Sequence, residues 1–496
     1  MVDAHVHVES SMLTPSEFAR LAVTHGTVAT VSDPHEIANV LGIKGVEFMI
    51  DDGKKVPLKF YFGAPSCVPA TPFETSGAEL SAEDIDILMQ NDEVKYLAEM
   101  MNFPGVLNND SLVMDKIRVA QRYQKPVDGH APGLKGEEAM QYASAGISTD
   151  HECYTIDEAR DKITAGMKVQ IREGSAAKNF ETLIPLLKEA PEQIMFCSDD
   201  KHPDELLEGH MNKLVKRTLD YGYDLIQALR PCTLNPKKHY HLQNGLLQTG
   251  DPADFVIIDH PDTFNVLQTY IDGVMVAEHG KASFSVSAEQ IPNHFVVSDI
   301  QTADIEVKEE KGKLKVIDVK DGQLLTGKIE TESKVENGLV VSDVQRDLLK
   351  IVVLNRYKPS KPAVGFIHNT GLKEGAMVST VAHDSHNIVA VGVTDQMILK
   401  AINLVMESKG GIGYVNDKGS VLLPLPVAGI MSNQKAEKVA ADYKKLDHMV
   451  KNAGSKLVAP FMSLSFMALL VIPALKMSDL GLFDGTNFKF TPLIEQ

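Results

Sequence analysis

The first half of the chain alternates short apolar runs with stretches of helical periodicity. Three of those stretches are "TPSEFARLAVTHG", "LKGEEAMQYASAG" and "NFETLIPLLKEA", and the first has Thr14 as a candidate N-cap and Pro15 at the first helical position. Eight strands alternating with helices predict an α/β fold of parallel βα units, a (β/α)8 TIM-type barrel over residues 1–245. The eight apolar runs lie at 2–8, 26–32, 58–64, 94–101, 126–131, 146–153, 167–173 and 194–200.

The pattern changes after about residue 245. In 246–288, "DPADFVIIDH" and "FNVLQTYIDGVMVAEHGK" alternate like antiparallel strands, with turn signals at Asp251-Pro252 and Asp272-Gly273. Residues 289–496 open with charged alternating strands, "KGKLKVIDVKDGQLLTGKIE", and continue as mixed helices and strands. The helix "MILKAINLVMES" is ended by "KGG". We therefore expect a third, α+β domain.

Composition narrows the range of partners. The formal net charge of −18 argues against a nucleic acid or an anionic membrane surface, since both attract an excess of Lys and Arg. Four scattered cysteines without a CxxC motif fit a reducing cytoplasm. The run "FMSLSFMALLVIPAL" is shorter than the roughly 20 residues of a membrane span. A buried segment or a subunit contact explains this run better.

Metal-ligand residue types recur at the ends of the predicted barrel strands. His5 and His7 are two residues apart, so a strand places both side chains on one face. Alone, a histidine at a strand end is more often a structural hydrogen-bonding group, and an aspartate a helix N-cap. Ligand types at five strand ends instead favour two divalent metal ions and an activated water. The other strand-end candidates are Glu99, His130, His151 and Asp199.

A set of longer motifs resembles one family. Together they are similar to the bacterial adenine deaminase family of the amidohydrolase superfamily, including its additional C-terminal domain, from Val2 to about Asp484. Many binuclear amidohydrolases bridge their metals with a lysine on strand four. In this chain Lys95 lies near the beginning of that strand, at the wrong end, and Glu99 occupies the bridging position. The motifs are "DAHVHVESSM", "SDPHEIANV", "APSCVPATPFETSGAE", "LAEMMNFPGV", "GHAPGL", "STDHE", "IREGSAAKN", "CSDDKHPDEL", "VAHDSHNI" and "LPLPVAGIMS".

The resemblance implies hydrolytic deamination of adenine to hypoxanthine and ammonia by a hydroxide bridging two metals. Mn²⁺ or Fe²⁺ is expected, with Zn²⁺ as a third candidate, and the partner is a small molecule bound by a homodimer. Asp199 would accept a proton from the hydroxide and pass it to the departing amine. Glu152 and Asp200 are candidates to protonate the purine ring, or to orient a ligand histidine.

Several further residues are candidates for binding the substrate. His35 and Glu36 either line the barrel mouth or only begin a helix, and Arg172 and Glu173 either contact substrate or form an internal ion pair. In "AHDSHN" the candidates are His383, Asp384 and His386, with Asn387 beside them. This motif is interpreted as a second metal site or, in preference, as a polar loop over the barrel mouth.

Two other functions stay open at this point. One is a binuclear amidohydrolase acting on a cyclic amide or amidine, and the other is a truncated, non-catalytic remnant. The second arises because Met1 stands directly before the first predicted strand, while family members build a small β-sandwich partly from strands that precede it. We therefore expect that Met1 is not the initiator, that roughly 70–90 in-frame residues precede it, and that 246–288 holds only the remaining sandwich strands.

Overall fold

The eight predicted barrel strands are all present. The computed structural model describes residues 1–286 and 290–495. All strand pairs are parallel, in one sheet of five strands and one of three. Single bridges between Val127 and Ile147 and between Val6 and Asp199 join the two sheets and close the barrel. The strands are β1 (Val2–Val6), β2 (Ala29–Ser32), β3 (Lys59–Ala64), β4 (Val94–Met100), β5 (Val127–Gly129), β6 (Thr149–Asp150), β7 (Lys168–Arg172) and β8 (Ile194–Cys197).

Helices follow the barrel strands, as predicted. They are α1 (Pro15–Ala22), α2 (His35–Leu41), α3 (Ile43–Gly53), α4 (Ala82–Met89), α5 (Phe103–Leu107), α6 (Ser111–Arg122), α7 (Gly136–Ser144), α8 (Ile156–Thr164), α9 (Phe180–Leu183), α10 (Leu186–Glu189), α11 (Pro203–Glu208), α12 (Met211–Asp220), α13 (Leu225–Leu229) and α14 (Leu234–Tyr240). The helix α1 begins at Pro15 with Thr14 at the N-cap. The stretch "NFETLIPLLKEA" was expected as one helix but forms α9 and α10, because Pro185 lacks the amide donor that a continuous helix needs.

The predicted antiparallel strands after the barrel form a separate four-stranded sheet. It contains β9 (Phe255–Ile258), β10 (Val266–Ile271), β11 (Val274–Glu278) and β12 (Lys281–Ala282), in the order β12-β11-β10-β9. Asp272 and Gly273 join β10 to β11 with φ values of 49° and 80°, the positive values of a tight two-residue hairpin. The domain boundary expected near 245 stays a prediction, and the one at 288–289 lies outside the described residues.

The C-terminal part of the chain is built around a nine-stranded sheet of mostly antiparallel strands. Its described strands and two smaller sheets comprise β13 (Val307–Lys308), β14 (Lys313–Val319), β15 (Thr326–Thr331), β16 (Val335–Glu336), β17 (Leu339–Val340), β18 (Leu349–Leu354), β19 (Ala363–His368), β20 (Ala376–Ser379), β21 (Ile388–Gly392), β22 (Gly411–Asn416), β23 (Gly419–Pro424), β24 (Leu475–Ser478), β25 (Gly481–Asp484), β26 (Lys489–Phe490) and β27 (Ile494–Glu495). The helices are α15 (Asp395–Glu407), α16 (Ala436–Asn452) and α17 (Pro460–Ser465). This mixture agrees with the expected α+β character.

The C-terminal part packs directly on the barrel. The amide of Ser432 donates to the carbonyl of Met12 at 2.8 Å, and the amide of Ala436 donates to the Glu17 carboxylate at 3.0 Å. The apolar run from Phe461 is buried in this region as α17 and a short turn, so its interpretation as a buried segment is confirmed. Within 1–286 and 290–495, no helix combines the length and the apolar character that crossing a membrane requires.

Candidate metal centre and substrate cavity

The six predicted metal ligands converge at the carboxyl ends of the barrel strands. Each is at most 5% exposed, although all carry polar or ionisable groups. The convergence follows from the fold, because parallel strands deliver their carboxyl ends to one face of a barrel. They are His5 on β1, His7 directly after it, Glu99 on β4, and His130, His151 and Asp199 just past the ends of β5, β6 and β8.

Three of these side chains point their ligand atoms at one another near the seam of the barrel. The Nε2 atoms of His5 and His7 lie 3.1 Å apart. Oδ1 of Asp199 lies 3.3 Å from Nε2 of His5 and 3.2 Å from Nε2 of His7. The amide of Asp199 donates to the carbonyl of His5 at 2.9 Å, so the strand pairing itself fixes this group.

Glu99 faces both this group and a second one. Its Oε2 lies 2.8 Å from Nδ1 of His130 and 3.1 Å from Nε2 of His151. Its Oε1 lies 3.4 Å from Nε2 of His7. The carboxylate therefore stands between the two groups, at the place that a ligand shared by two metal ions would occupy.

The residues present fit divalent metal ions. Ligand atoms lie within 4.8 Å of one another in the groups His5–His151–Asp199 and Glu99–His130–His151. Among the described residues, Nε2 of His130 has no hydrogen-bond partner although it is buried. Imidazole and carboxylate ligands without thiolates suit Mn²⁺, Fe²⁺ or Zn²⁺ and do not resemble a closed structural zinc site.

The carboxylates of the centre are held ionised by their neighbours. Burial alone would raise the pKa of Glu99, but His130 and His151 hold that pKa well below its usual value. Burial would likewise raise the pKa of Asp199, and the Arg172 guanidinium together with His5 and His7 holds it well below the usual value. Both groups are thus anionic ligands at neutral pH.

Arg172 forms an ion-paired cluster beside the centre. Its Nη1 donates to Oδ2 of Asp199 at 2.6 Å and also to the carboxylate of Glu152. Its Nε donates to the carbonyl of Ala177 at 3.0 Å, which fixes the guanidinium. Oε1 of Glu152 lies 3.6 Å from Nε2 of His151, so this residue lies beside a ligand histidine.

Glu173 does not join the cavity. Its Oε2 accepts from Nη1 of Arg217 at 2.5 Å, on the other side of the strand from Arg172. Each of the two residues thus forms an ion pair, Arg172 with Asp199 and Glu173 with Arg217, and they do not pair with each other. Contact with a substrate stays a prediction. Successive residues of a strand point to opposite faces, and the amide of Glu173 still donates to Cys197 at 3.1 Å in the ladder.

His35 both begins the helix α2 and faces the centre. Its Nδ1 lies 3.4 Å from Oε1 of Glu99 and 3.3 Å from Oδ2 of Asp33, while its Nε2 lies 3.5 Å from Oδ1 of Asp384. Sequence reasoning missed Asp33, whose carboxylate also accepts from the amide of His35 at 3.0 Å. The motif "SDPHE" contained it, but an aspartate before a helix is usually only a cap.

The "AHDSHN" loop lies over the barrel mouth. Nδ1 of His383 is 3.8 Å from Oε1 of Glu36, and Nε2 of His386 is 3.9 Å from Oε2 of Glu36. The loop is fastened by Ser385, whose hydroxyl donates to Glu74 at 2.8 Å. Ligand atoms of Glu36, Asp200 and His383 lie within 4.8 Å of one another, but only one of them comes from the motif. The geometry fits the preferred interpretation of a covering loop.

Ser10 is a polar residue of the site that sequence reasoning missed. Its hydroxyl oxygen lies 2.6 Å from Oε1 of Glu36 and 2.6 Å from Oδ1 of Asp200. A serine hydroxyl has one hydrogen, so it donates to only one of the two carboxyl groups. The hydroxyl therefore links Glu36 and Asp200, and burial raises the pKa of the Glu36 carboxyl group.

A small cavity of about 20 Å³ lies between the metal-ligand cluster and the C-terminal part of the chain. Its polar side is formed by the residues above, including Asp200, Arg172 and His383. Its apolar side is formed by Met101, Leu324, Phe466 and Leu469, which no sequence signal marked, because apolar residues are common throughout a core.

Two family profiles match this chain. The Amidohydrolase family profile matches residues 1–276, and the profile of the adenine deaminase C-terminal domain matches residues 323–489. Among solved structures, a β-aspartyl dipeptidase from Fervidobacterium islandicum AW-1 aligns with a TM-score of 0.43 and 14% identity over 58% of this chain and 84% of that chain.

Curated relatives match nearly the whole chain. An adenine deaminase of Salinibacter ruber is 54% identical over 491 residues, which cover 99% of this chain and 90% of that protein. Adenine deaminases of Methanosarcina mazei and of Sulfurovum sp. are each 51% identical, over 99% of this chain and 91% and 90% of those proteins. With this identity over almost its full length and with both family profiles, the chain belongs to the adenine deaminase family.

Proposed function

We propose that this protein hydrolyses adenine to hypoxanthine and ammonia at the barrel cavity. The observation that carries the proposal is the convergence of six nitrogen and oxygen ligands from five strand ends beneath the C-terminal loop. Membership of the adenine deaminase family supplies the substrate. The alternative is an amidohydrolase that acts on a cyclic amide or amidine. Such an enzyme would use the same metal ligands, and only the substrate that its cavity binds would be different.

Two divalent metal ions are proposed as cofactors, Mn²⁺ or Fe²⁺ in preference to Zn²⁺. His5, His7 and Asp199 would hold one ion, His130 and His151 the other, and Glu99 would be shared. When bound, such ions make a water nucleophilic at neutral pH and polarise the substrate. The preference among the metals rests on the family resemblance.

Asp199 is proposed as the group that moves the proton. The side chain lies at the centre of the cluster and lines the cavity, and Arg172 keeps it ionised in the resting protein. An ionised carboxylate there takes a proton from the attacking water and returns it to the departing amine as C6 loses its nitrogen. Arg172 also orients the carboxylate through a single 2.6 Å hydrogen bond.

Asp200 is proposed, in preference to Glu152, as the acid that protonates the purine ring. The carboxylate of Glu152 is engaged in an ion pair with Arg172. Asp200 lines the cavity and shares the hydroxyl of Ser10 with Glu36. Burial raises the pKa of Glu36, so the chain Glu36–Ser10–Asp200 offers a route by which a proton reaches Asp200 and a bound base.

The remaining candidates are proposed as substrate-binding and covering residues. His35, His383 and Asp384 line or border the cavity and offer ring nitrogens and a carboxylate to the edge of a purine. The loop that carries His383 also excludes water from the mouth, which strengthens the polar interactions inside. A homodimer and a cytoplasmic location are further proposals, which rest on the family resemblance and on the scattered cysteines.

The test is product analysis with metal-loaded protein. Purified protein is reconstituted with Mn²⁺ or Fe²⁺ and incubated with adenine, and hypoxanthine and ammonia are measured together. Equal amounts of the two products support the proposal. If adenine is not consumed, the metal stays bound and a cyclic amide or amidine is hydrolysed, the result selects the alternative amidohydrolase activity. If neither substrate is turned over, the result favours a non-catalytic protein.

A further inference from the structure

Lys476 is fully buried and is bound to main-chain carbonyls alone. Its Nζ donates to the carbonyl of Leu324 at 2.6 Å and to that of Phe466 at 2.8 Å. No carboxylate among the described residues forms an ion pair with it, and burial lowers its pKa to about 7. Charged or neutral, the amine has at least two N–H donors, so both carbonyls stay bonded across this pH range.

The two residues that Lys476 binds both line the catalytic cavity. Leu324, Phe466 and Leu469 form the apolar side that faces the metal-ligand cluster, and we call these three residues the apolar roof. Leu324 belongs to the turn between β14 and β15, whereas Phe466 and Leu469 follow α17. Segments more than 140 residues apart in sequence thus meet over the cavity, and Lys476 on β24 holds both of them.

The same turn is also connected to the polar side of the cavity. The amide of Ala177 donates to the carbonyl of Gly322 at 3.1 Å, two residues before Leu324. The carbonyl of Ala177 in turn accepts from Nε of Arg172 at 3.0 Å. The Gly322 end of the turn thus has its own bond to the segment that holds Arg172, and this bond does not depend on Lys476.

Comparison with Lys350 shows that the arrangement of Lys476 is unusual in this protein. Lys350 is equally buried, but its Nζ bonds Asp395 at 2.6 Å as well as the carbonyl of Ile305 at 2.9 Å. A buried amine without a counter-charge is unfavourable, and apolar residues fill such positions at lower cost. The position of Lys476 is thus explained by the two segments it joins rather than by charge neutralisation.

We propose that Lys476 is a positioning residue that fixes the apolar roof against a flat heteroaromatic substrate. The cavity has ligand and hydrogen-bonding groups on one side and a phenylalanine with two leucines on the other. A planar base presents polar edges and apolar faces, so its chemistry matches these two sides, and the ring of Phe466 offers a stacking surface. Phe466 also contacts His383, with ring centroids 5.3 Å apart, which joins the roof to the covering loop. The inference rests on the proposed adenine hydrolysis.

The test compares Lys476→Met with Lys350→Met in metal-loaded protein. Methionine is close in length but donates no hydrogen bond, so Leu324 and Phe466 are released. We expect the KM for adenine to rise about tenfold or more in Lys476→Met, with kcat changed less than about threefold and metal content unchanged. Amide hydrogen exchange over 320–325 and 466–469 should accelerate. Lys350→Met, which removes a buried lysine that bonds neither roof segment, should change neither KM nor exchange in these segments.

Lys476→Gln keeps one donor group and serves as the second variant if the methionine variant does not fold. An intermediate KM in Lys476→Gln supports the inference. A wild-type KM in a folded variant with faster exchange, or the same KM change in Lys350→Met, would overturn it. If the wild-type protein fails to turn over adenine, the proposed function is wrong, whereas exchange in the two roof segments still reports whether Lys476 positions them.

Discussion

Replacing Glu99 with glutamine should release metal from both halves of the centre. Its carboxylate lies 2.8 Å from His130, 3.1 Å from His151 and 3.4 Å from His7, so it is the anionic group that both ligand groups share. Glutamine keeps the size and one oxygen but removes the charge.

The expected loss of metal affinity follows from the position of Glu99 between the two groups of candidate ligands. Loss of a group that only orients a metal ligand weakens metal binding about 10–100-fold, so loss of a shared anionic ligand should reach at least the upper value. We expect Kd to rise about 100-fold at each site, about 2.8 kcal/mol per site. Metal content is measured by plasma mass spectrometry after gel filtration, and Kd by competition with a chelator.

A matched control distinguishes this effect from general damage. Glu74 is also a buried carboxylate near the barrel mouth, but it accepts hydrogen bonds from Thr71 and Ser385 and belongs to neither ligand group. Glu74→Gln should therefore bind metal like the wild type. Two metals bound to Glu99→Gln with wild-type affinity would refute the assignment of Glu99 as the shared ligand.

Three further results are expected. Asp199→Asn should lower kcat for adenine by about 10²–10⁴, measured at equal metal content, and an unchanged kcat would remove it from proton transfer. In metal-free protein, Arg172→Met should lower the free energy of unfolding, measured by urea titration, by about 3–5 kcal/mol, because Glu152 and Asp199 lose their buried partner. The control Arg160→Met, at an exposed ion pair, should show no measurable change. Chelation should lower Tm and abolish turnover, and Mn²⁺ should restore both; an unchanged Tm would contradict a metal-stabilised barrel.

The predictable part of the fold and the site follows from strand geometry. Period-two alternation places His5 and His7 on one face of β1, and parallel pairing brings the ends of β4, β5, β6 and β8 to the same rim. The same alternation separates Arg172, which faces the cavity, from Glu173, which pairs with Arg217 outside it. Strand alternation therefore predicts, from the sequence alone, that only one of these two neighbouring residues faces the cavity.

Alternation fails where a strand has ended. The strand β8 stops at Cys197, and Asp199 has a φ of 51°, in the left-handed region, so Asp199 and Asp200 both reach the cavity although they are neighbours. His151 and Glu152 likewise follow the end of β6 and both line the cavity. Side-chain direction past a strand end depends on individual backbone angles, which neither periodicity nor composition reveals.

The apolar roof lies beyond sequence reasoning for a different reason. Ligand residues are recognisable because imidazole and carboxylate groups are rarely buried without a function, whereas a leucine in a cavity wall looks like any leucine in a core. What distinguishes Leu324 and Phe466 is that Lys476 bonds both of them, although they lie more than 140 residues apart in sequence. The polar half of the cavity is therefore identified by its chemistry, and the apolar half only by its position in three dimensions. The residues most readily found from sequence are those proposed to perform the reaction, and those proposed to shape the substrate's surroundings require the structure.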